Sequence, residues 1–393
     1  MPERIRHVVI GLPVLLVGGT EVQTLSLVRV LLSGGYRVTV CCYYEFDEDV
    51  VLWFREAGAE ILLLRLVRDR QQFGFGTMLH LVTSLFTMFR KIRPDIVHVQ
   101  YLAPGLIPIL AARLARVPAI ITTVHIAGSI VYGKKAKMLL RIAALFCTRF
   151  ICVSRGVEEF WFGDSEVFDP DNVNKGRKHF TVYNAIDTVA IANVVSAVDK
   201  YKMKEMLGIA GRPVIGIVGR LAHQKGHTVL LDAMAEVIRE FPTVVLMIIG
   251  EGPERQKLGE KASALNINKN ILWMGAQTQN KVFEFYAIMD IFAMPSLYEG
   301  FGLTAAEAMA AGVAIVGTKV EGLSEVIEDG VSGYLVPVND DRALAGALIQ
   351  LLNNPALARS MGRNGHDRVS RLFSMERFRA SMIGIYNTFK DGH

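Results

Sequence analysis

The sequence is poor in the features that mark secreted, membrane-spanning and disordered proteins. Its 393 residues include only four cysteines and 21% charged residues. Cys41, Cys42, Cys147 and Cys152 fit neither a metal-binding nor a disulfide pattern, so we expect small buried side chains in a reducing cytoplasm. No stretch reaches the roughly 18 uninterrupted apolar residues of a membrane-spanning helix, since two arginines interrupt the best candidate, 105–124. A cytoplasmic globular protein is favoured.

The N-terminus allows two interpretations. Arg4 and Arg6 precede an apolar run over 7–17, as in a signal peptide. Pro13 interrupts that run, however, and no Ala-x-Ala-like cleavage site precedes Gly18. We therefore favour a first buried strand that leads into a glycine loop.

The chain is rich in short apolar runs that alternate with helix-period segments, and 51% of its residues are hydrophobic. Such alternation predicts parallel sheets covered by helices on both faces. The length is too great for one core. The predicted strands of the first series are 7–11, 37–43, 60–64, 96–100, 119–124, 150–153 and 181–183. Those of the second series are 214–218, 244–249, 271–274, 291–294, 314–316 and 334–336.

The predicted fold class is α/β, with two doubly wound Rossmann-like domains that face across a cleft. We expect an N-terminal domain over 1–188 and a C-terminal domain over 189–373. The last helix, over 374–393, is expected to cross back to the first domain. Ligands of such folds bind beyond the carboxyl ends of the strands.

A first candidate site is the segment 219–226 (GRLAHQKG), which follows an apolar strand and precedes a helix. A glycine turn at a helix N-terminus is typical of an anion site, because free N–H groups and the helix dipole favour negative charge. Arg220 and Lys225 add two cationic side chains. The sequence therefore predicts a diphosphate site that needs no metal.

A second candidate site is the segment 299–307 (EGFGLTAAE), directly after another predicted strand. Gly300 and Gly302 would let backbone N–H groups approach a ligand closely. We expect Thr304 to cap a helix over 305–311. Glu299 and Glu307 could then accept hydrogen bonds from the vicinal hydroxyls of a sugar.

Together these motifs resemble the family 4 (group 1) retaining glycosyltransferases of the GT-B fold. The resemblance spans nearly the whole chain and includes 18–21 (GGTE), 123–125 (TVH) and 333–336 (GYLV). The sequence departs from the family pattern at Ala185, where Asn-Gly is usual, and at 323–324 (LS), where Ile-Pro is common. Both departures lie outside the donor-binding motifs.

The resemblance implies an enzyme of class EC 2.4, a hexosyltransferase-type glycosyltransferase that moves a sugar from a UDP-, GDP- or ADP-sugar to a hydroxyl. The first domain would serve the acceptor and the second the nucleotide sugar, with no cofactor and no metal. The implied donor-binding residues are Gly18, Gly19, Arg220, Lys225, Glu299, Gly300, Phe301, Gly302, Leu303 and Glu307. The implied catalytic residues are His125, Arg220, Lys225 and Glu299.

The same resemblance suggests a division of roles. Arg220 and Lys225 would neutralise the diphosphate, and Glu307 would hold the ribose hydroxyls. Glu299 would bind the transferred sugar with the N–H groups of Phe301 and Gly302. Gly18 and Gly19 would let the loop of the first domain approach the phosphates and the acceptor.

One histidine and two acidic segments each allow two interpretations. His125 follows a strand and could either contact the sugar or be a structural core histidine, whereas the mid-strand His98 is expected to be structural. The Asp-x-Asp spacings at 47–49 and 169–171 match those of metal-dependent glycosyltransferases. The first, however, is typical of a helix N-terminus, where acidic residues are favoured, and the second lies in a polar insertion, so we assign no metal.

The first half of the chain is the more basic, because residues 1–185 hold 22 of the 43 lysines and arginines but only 16 of the 38 acidic residues. The segment 134–141 (KKAKMLLR) predicts a basic amphipathic helix, and 65–70 and 90–93 add charge. Such a face could contact anionic lipid at the inner face of the cell membrane, near a lipid-linked or cell-surface glycan acceptor. A solvated helix is the open alternative, and nothing favours nucleic-acid binding.

Two other function classes fit the same fold. One is a catalytically silent binding subunit, against which the joint presence of Arg220, Lys225, Glu299 and Glu307 speaks. The other is a nucleotide-sugar epimerase or hydrolase, which would need acid/base carboxylates in the first domain. Glu21 is the one such candidate placed by a motif.

Overall fold

The computed structural model describes residues 6–66, 75–100, 106–126, 134–174 and 176–389. The chain divides into two compact units. Unit 1 comprises Met1–Ala185 and Glu376–His393, and unit 2 comprises Ile186–Met375. These limits lie within three residues of the boundaries expected at 188/189 and 373/374.

Within its described residues, unit 1 contains a seven-stranded parallel sheet of order β3-β2-β1-β4-β5-β6-β7. The strands are β1 (His7–Leu12), β2 (Arg37–Cys42), β3 (Glu60–Leu63), β4 (Ile96–Gln100), β5 (Ala119–Val124), β6 (Arg149–Cys152) and β7 (His179–Thr181). The central strands β1, β4 and β5 are buried along their whole length, as expected for a sheet covered on both faces. The four cysteines are buried and free.

The helices of unit 1 connect these strands. They are α1 (Gly19–Ser33), α2 (Glu48–Glu56), α3 (Phe75–Ile92), α4 (Leu106–Leu114), α5 (Lys134–Phe146), α6 (Arg155–Phe162) and the returning α16 (Met375–Asn387). The Tyr386 hydroxyl of α16 lies 2.7 Å from Nδ1 of His98 in β4, which ties the end of the chain to the sheet of this unit.

Unit 2, all of whose residues the structure describes, contains a six-stranded parallel sheet of order β10-β9-β8-β11-β12-β13. The strands are β8 (Val214–Val218), β9 (Val245–Ile249), β10 (Ile271–Gly275), β11 (Ile291–Met294), β12 (Ala314–Thr318) and β13 (Gly333–Val336). Its helices are α7 (Thr188–Ala197), α8 (Lys200–Met206), α9 (His227–Glu240), α10 (Arg255–Ala264), α11 (Gln279–Tyr286), α12 (Leu303–Ala310), α13 (Glu321–Val326), α14 (Asp341–Asn353) and α15 (Pro355–Leu372).

Both sheets reverse their order next to the first strand of their unit. In unit 2, β8 pairs with β9 on one side and with β11 on the other. In unit 1, β1 likewise lies between β2 and β4. The carboxyl ends of such strand pairs are where open α/β sheets bind ligands. The doubly wound α/β class expected from the sequence is confirmed for both units.

Candidate active site

The two motifs of unit 2 meet at the reversal point of its sheet. The segment 219–226 follows β8, and the segment 299–307 follows β11, the strand that pairs with β8. Parallel pairing brings the carboxyl ends of both strands to one edge. Two segments that lie about 75 residues apart in the sequence are therefore neighbours in the fold.

The loop after β8 is shaped by two glycines and a short 3-10 turn. Gly226, at φ +68°, precedes α9, and a Cβ at this position would lie 1.9 Å from the carbonyl oxygen of Pro295. The 3-10 turn His223–Lys225 comes before it. Arg220 is exposed, and its side chain forms no ion pair or hydrogen bond with any described residue. Its guanidinium is thus available to a ligand.

The loops after β8 and β11 are joined by several hydrogen bonds. The N–H of Leu297 donates to the carbonyl of Gln224 at 2.8 Å, and the Gln224 amide donates to the carbonyl of Tyr298 at 3.1 Å. The Lys225 ammonium lies 2.5 Å from Oε1 of Glu299. The two loops are therefore held in one arrangement without a ligand.

Glu299 is paired to a cation and a hydroxyl. Its side chain is 10% exposed and that of Lys225 is 23% exposed. The hydroxyl of Ser296 donates to the same Oε1 at 3.0 Å. Among the described residues, none forms a hydrogen bond or an ion pair with the second carboxylate oxygen, so Glu299 retains acceptor capacity.

The glycine loop before α12 is packed against α13. A Cβ on Gly322 would lie 2.6 Å from the backbone nitrogen of Phe301, and one on Gly302, at φ +96°, would lie 2.4 Å from Leu323. The Phe301 ring is buried, with its centroid 5.1 Å from that of Phe373. Phe301 thus anchors the loop by its side chain and can offer a ligand only its backbone.

The prediction that Thr304 caps α12 was wrong. The helix begins at Leu303, with Gly302 as the capping residue and no side-chain cap. The Thr304 hydroxyl instead lies 3.9 Å from the sulfur of Met294. Because no side chain occupies the helix N-terminus, its first N–H groups remain available to an acceptor from outside the helix.

Glu307 lies on the second turn of α12 and is bonded by an aromatic hydroxyl from α11. The Tyr286 hydroxyl donates to Oε2 at 3.1 Å, and Gln279 is a further hydrogen-bond partner. Burial raises the pKa of Glu307 to about 7, because it disfavours the charged form, while these two hydrogen bonds act in the opposite direction. Near neutral pH both the protonated and the ionised forms of this carboxyl are thus populated.

A buried histidine begins α9. His227 is 1% exposed, and neither of its ring nitrogens has a hydrogen-bond partner among the described residues. Burial, with the nearby Lys225 charge, lowers the pKa of His227 to about 4. The imidazole is therefore neutral at pH 7 and adds no charge beside the two expected diphosphate ligands.

In unit 1, the two expected glycines follow β1. Gly18 is extended and precedes α1, and a Cβ on it would lie 2.6 Å from Oε2 of Glu21. Gly19 is the exposed first residue of the helix. Glu21 is buried under this turn and already has an interaction partner, which suits a structural role at the helix start.

His125 directly follows β5 and is tied to β4. Its Nε2 lies 2.8 Å from Oε1 of Gln100, so the ring donates through this nitrogen. Burial lowers the pKa of His125 to about 4, and the ring is neutral at pH 7. His98 is fully buried between the hydroxyls of Tyr386 and Thr123, each at 2.7 Å, as its mid-strand position predicts.

The two Asp-x-Asp sequences lie away from these residues along the chain. Asp47 caps α2 by accepting from the N–H of Asp49, and Asp169 makes the same type of contact with the N–H of Asp171 in an exposed loop. Within the described part of the chain, no group of three or more His, Cys, Asp or Glu side chains could hold a metal ion.

Three contacts of the candidate site residues could not be predicted from the motifs. Ser296 and Tyr286 bond the two expected carboxylates, and Gln100 bonds His125. Gln100 ends a strand beside the reversal point of its sheet, and that position could have identified it. Tyr286 looks like an ordinary core aromatic of an amphipathic helix, and only the fold reveals its contact.

Comparisons with known proteins agree with this arrangement. Residues 17–166 match the family model described as Glycosyltransferase Family 4, and residues 199–368 match Glycosyl transferases group 1. The chain is 29% identical over 313 residues to N-acetyl-alpha-D-glucosaminyl L-malate synthase of Bacillus anthracis, covering 78% of each protein. It is 28% identical over 302 residues to UDP-Gal:alpha-D-GlcNAc-diphosphoundecaprenol alpha-1,3-galactosyltransferase of Escherichia coli, covering 74% of this chain and 75% of that protein.

A solved structure has the same fold. The crystal structure of Anabaena Alr3699/HepE in complex with UDP and glucose matches with a TM-score of 0.80 and 18% identity, over 97% of this chain and 99% of that one. The two family models lie one in each unit and together span most of the sequence. The chain belongs to the group 1 and family 4 glycosyltransferases of the GT-B fold.

Proposed function

We propose that this glycosyltransferase transfers a sugar from a nucleoside-diphosphate sugar to a hydroxyl of a lipid-linked or cell-surface glycan precursor, with retention of anomeric configuration and without a metal. The observation that carries the proposal is the meeting of Arg220, Lys225 and Glu299 at the reversal point of the unit 2 sheet, with Glu307 on the adjoining helix. Two cations and two carboxylates in one place suit a ligand that is anionic at one end and rich in hydroxyls at the other.

The residues divide this ligand between them. Arg220 and Lys225 bind the diphosphate, together with the N–H groups at the start of α9. Glu307 accepts hydrogen bonds from the ribose. Glu299, with the backbone N–H groups of Phe301 and Gly302, binds the sugar that is transferred. The side chain of Phe301 is buried, which supports a role for its backbone alone.

The proposed reaction is a substitution on one face of the sugar. The bond between C1 and the phosphate oxygen breaks, the acceptor oxygen bonds C1 from the same face, and the acceptor proton passes to the departing phosphate. Arg220 and Lys225 stabilise the negative charge that develops on this leaving group. These side chains supply the positive charge for which other glycosyltransferases use a metal ion.

A UDP-sugar is the first donor to test. The matched Anabaena structure contains UDP, and the Escherichia coli relative is named for UDP-Gal. Calorimetric titration with UDP, GDP and ADP, each with and without EDTA, will rank the bases. We expect one nucleotide to bind at least tenfold more tightly than the others and EDTA to leave its affinity unchanged. Loss of binding in EDTA would contradict the metal-free proposal.

The stereochemical outcome has its own test. Proton NMR of the glycoside product reports the configuration at C1, which is fixed because a glycosidic bond does not mutarotate. We expect the product to have the same anomeric configuration as the donor. An inverted product would refute same-face substitution, and absence of any transfer with a range of lipid-linked acceptors would favour the silent-subunit alternative.

The acceptor is proposed to be reached at a membrane surface, which α5 would contact. This helix buries Leu140 and Ala143 against unit 1 but leaves a second apolar face exposed. The exposed side chains on that face are Met138, Leu139, Ile142, Leu145 and Phe146. Lysines at 134, 135 and 137 begin the same helix. An apolar face beside basic residues is typical of a helix that lies in the interface of an anionic bilayer.

This contact would place the enzyme at the inner face of the cell membrane as a peripheral protein. None of the helices in the described ranges combines the length and apolar character needed to cross a bilayer. Co-sedimentation with vesicles containing phosphatidylglycerol tests the contact. We expect binding at low salt, loss of binding with phosphatidylcholine alone, and strong weakening in the double variant Ile142→Ser/Leu145→Ser.

A matched control is available in unit 2, where Val189 and Met206 are exposed at 62% and 79%. The double variant Val189→Ser/Met206→Ser removes comparable apolar surface from helices α7 and α8 of unit 2 and leaves α5 unchanged. It should bind vesicles like the wild type. Equal weakening in both double variants, or no binding by the wild type, would end the membrane proposal.

A further inference from the structure

Tyr286 is a buried residue whose hydroxyl reaches the proposed ribose ligand. It ends α11, is 0% exposed, and donates to Oε2 of Glu307 at 3.1 Å. The same hydroxyl lies 3.3 Å from the carbonyl oxygen of Thr304, one turn earlier in α12. The ring is held by a T-shaped contact with Phe292 of β11, at 5.8 Å between centroids. The position of the hydroxyl is therefore fixed by the core.

The number of acceptor sites on the carboxylate is limited. An ionised carboxylate has about four lone-pair positions. Tyr286 and Gln279 occupy two of them. About two remain, which matches the two vicinal hydroxyls of a ribose. A protonated carboxyl would lose acceptor capacity and present a donor instead, so recognition requires Glu307 in its charged form.

We propose that Tyr286 is a positioning residue for donor recognition, which orients Glu307 and favours its carboxylate form so that its remaining acceptor sites meet the ribose hydroxyls. The proposal rests on the ribose role of Glu307 proposed above. Tyr286 does not itself touch the ligand in this role. It acts through the carboxylate, as a second hydrogen-bonding partner orients a metal ligand.

Burial and two hydrogen bonds set the charge state of Glu307. The elements that contact α12 carry further titratable residues, which are Lys281, Glu284 and Tyr286 on α11, Glu321 and Glu325 on α13, and Arg359, Arg363, His366, Asp367, Arg368 and Arg371 on α15. The helix α7 and the strands β11 and β12 contribute none. Burial raises the pKa of Glu307 to about 7, and Tyr286 and Gln279 are the groups that lower it.

The test is Tyr286→Phe, which removes the hydroxyl and keeps the ring. UDP affinity is measured from pH 5.5 to 9 for wild type and variant, so that the titration of UDP itself cancels in the comparison. We expect about tenfold weaker binding at pH 7 and an upward shift of about one unit in the pH at which binding weakens, since a hydrogen bond that favours the carboxylate has been removed. Tyr386→Phe, a buried tyrosine of unit 1, should leave UDP binding unchanged.

The ribose dependence separates positioning from a general structural effect. The loss caused by Tyr286→Phe should shrink with 2′-deoxy-UDP, which lacks one of the hydroxyls that Glu307 would bind. An equal loss with UDP and 2′-deoxy-UDP, or an unshifted pH profile, would overturn the proposal. Gln279→Met removes the other partner at an exposed position and should shift the profile in the same direction, even if Tyr286→Phe does not fold.

Glu307→Ala separates a test of the ribose role of Glu307 from a test of the positioning role of Tyr286. If this variant binds UDP as the wild type does, the ribose role of Glu307 fails and the positioning role falls with it. If Glu307→Ala weakens binding but neither Tyr286→Phe nor Gln279→Met alters affinity or pH profile, the ribose role stands and the positioning role alone is refuted.

Discussion

Replacing Lys225 by methionine would remove the ammonium group that bonds Glu299 at 2.5 Å while keeping an unbranched side chain of similar length. Two separate effects are expected. The fold loses an ion pair that links the loops after β8 and β11. The reaction loses one of the two charges proposed to stabilise the departing diphosphate.

The structure sets the size of each effect. A hydrogen bond to a charged group contributes roughly 1.5–3 kcal/mol, but Lys225 is 23% exposed, and Ser296 still donates to Glu299 in the variant. We therefore expect the free energy of unfolding to fall by only about 1 kcal/mol. Loss of a charge that stabilises the leaving group should reduce kcat by about 10²–10³.

Arg220 provides the matched comparison. Its side chain is exposed and has no hydrogen-bond or ion-pair partner among the described residues, so Arg220→Ala should change stability by less than about 0.5 kcal/mol. Its kcat should nevertheless fall by a similar factor of about 10²–10³. The assays are urea unfolding of the unliganded protein and turnover with a saturating donor. Turnover of Lys225→Met within threefold of wild type would refute the assignment of this lysine to the leaving group.

Three further outcomes are expected. Gly226→Ala should destabilise the protein by more than Gly208→Ala, because its Cβ would lie 1.9 Å from the carbonyl oxygen of Pro295. Gly208 has nearly the same φ (+67° against +68°) but open space around it. Thermal unfolding compares the two variants, and equal losses of stability would contradict the packing argument. Glu307→Gln should gain about 1–3 kcal/mol of stability relative to wild type as pH rises from 4.5 to 8, because folding raises the pKa of Glu307 to about 7 and so opposes its ionisation in that range. Urea unfolding at several pH values measures this gain, which would be absent if the carboxyl ionised normally. Burial lowers the pKa of His98 to about 3, so the unfolded chain binds the extra proton and stability should decline as pH falls below 6.5; His98→Gln should flatten this decline, and an unchanged slope would count against it.

The strands were the most predictable part of the fold. Runs such as Val214–Val218 and Ile291–Met294 are apolar throughout, because they lie in the buried centre of a parallel sheet, and their predicted limits agree with the structure. The edge strand β7 was displaced by two residues, since it spans His179–Thr181 rather than 181–183. Its polar first residue is accommodated by the buried carboxylate of Glu158, which bonds both His179 and Thr181. An apolar pattern cannot report such a partner.

The site was predictable only where its chemistry lies in a continuous segment. Arg220, Lys225, Glu299 and Glu307 each belong to a glycine-containing motif that follows a strand, and the structure brings the two motifs together. Thr304 was wrongly expected to cap its helix because the rule for capping residues is local, whereas the tight packing of Gly302 on Leu323 sets where the helix begins. Contacts from other elements, such as that of Tyr286, depend on the assembled core.

The contact between Lys225 and Glu299 has a consequence for the order of events in a catalytic cycle. In the proposed roles, a complete donor satisfies both residues at once, with phosphate for the lysine and sugar hydroxyls for the glutamate. After transfer the nucleotide retains its phosphates but no longer carries the sugar, so Glu299 competes with it for Lys225. The protein thus contains an internal competitor for its own product, which favours departure of the spent nucleotide over its retention.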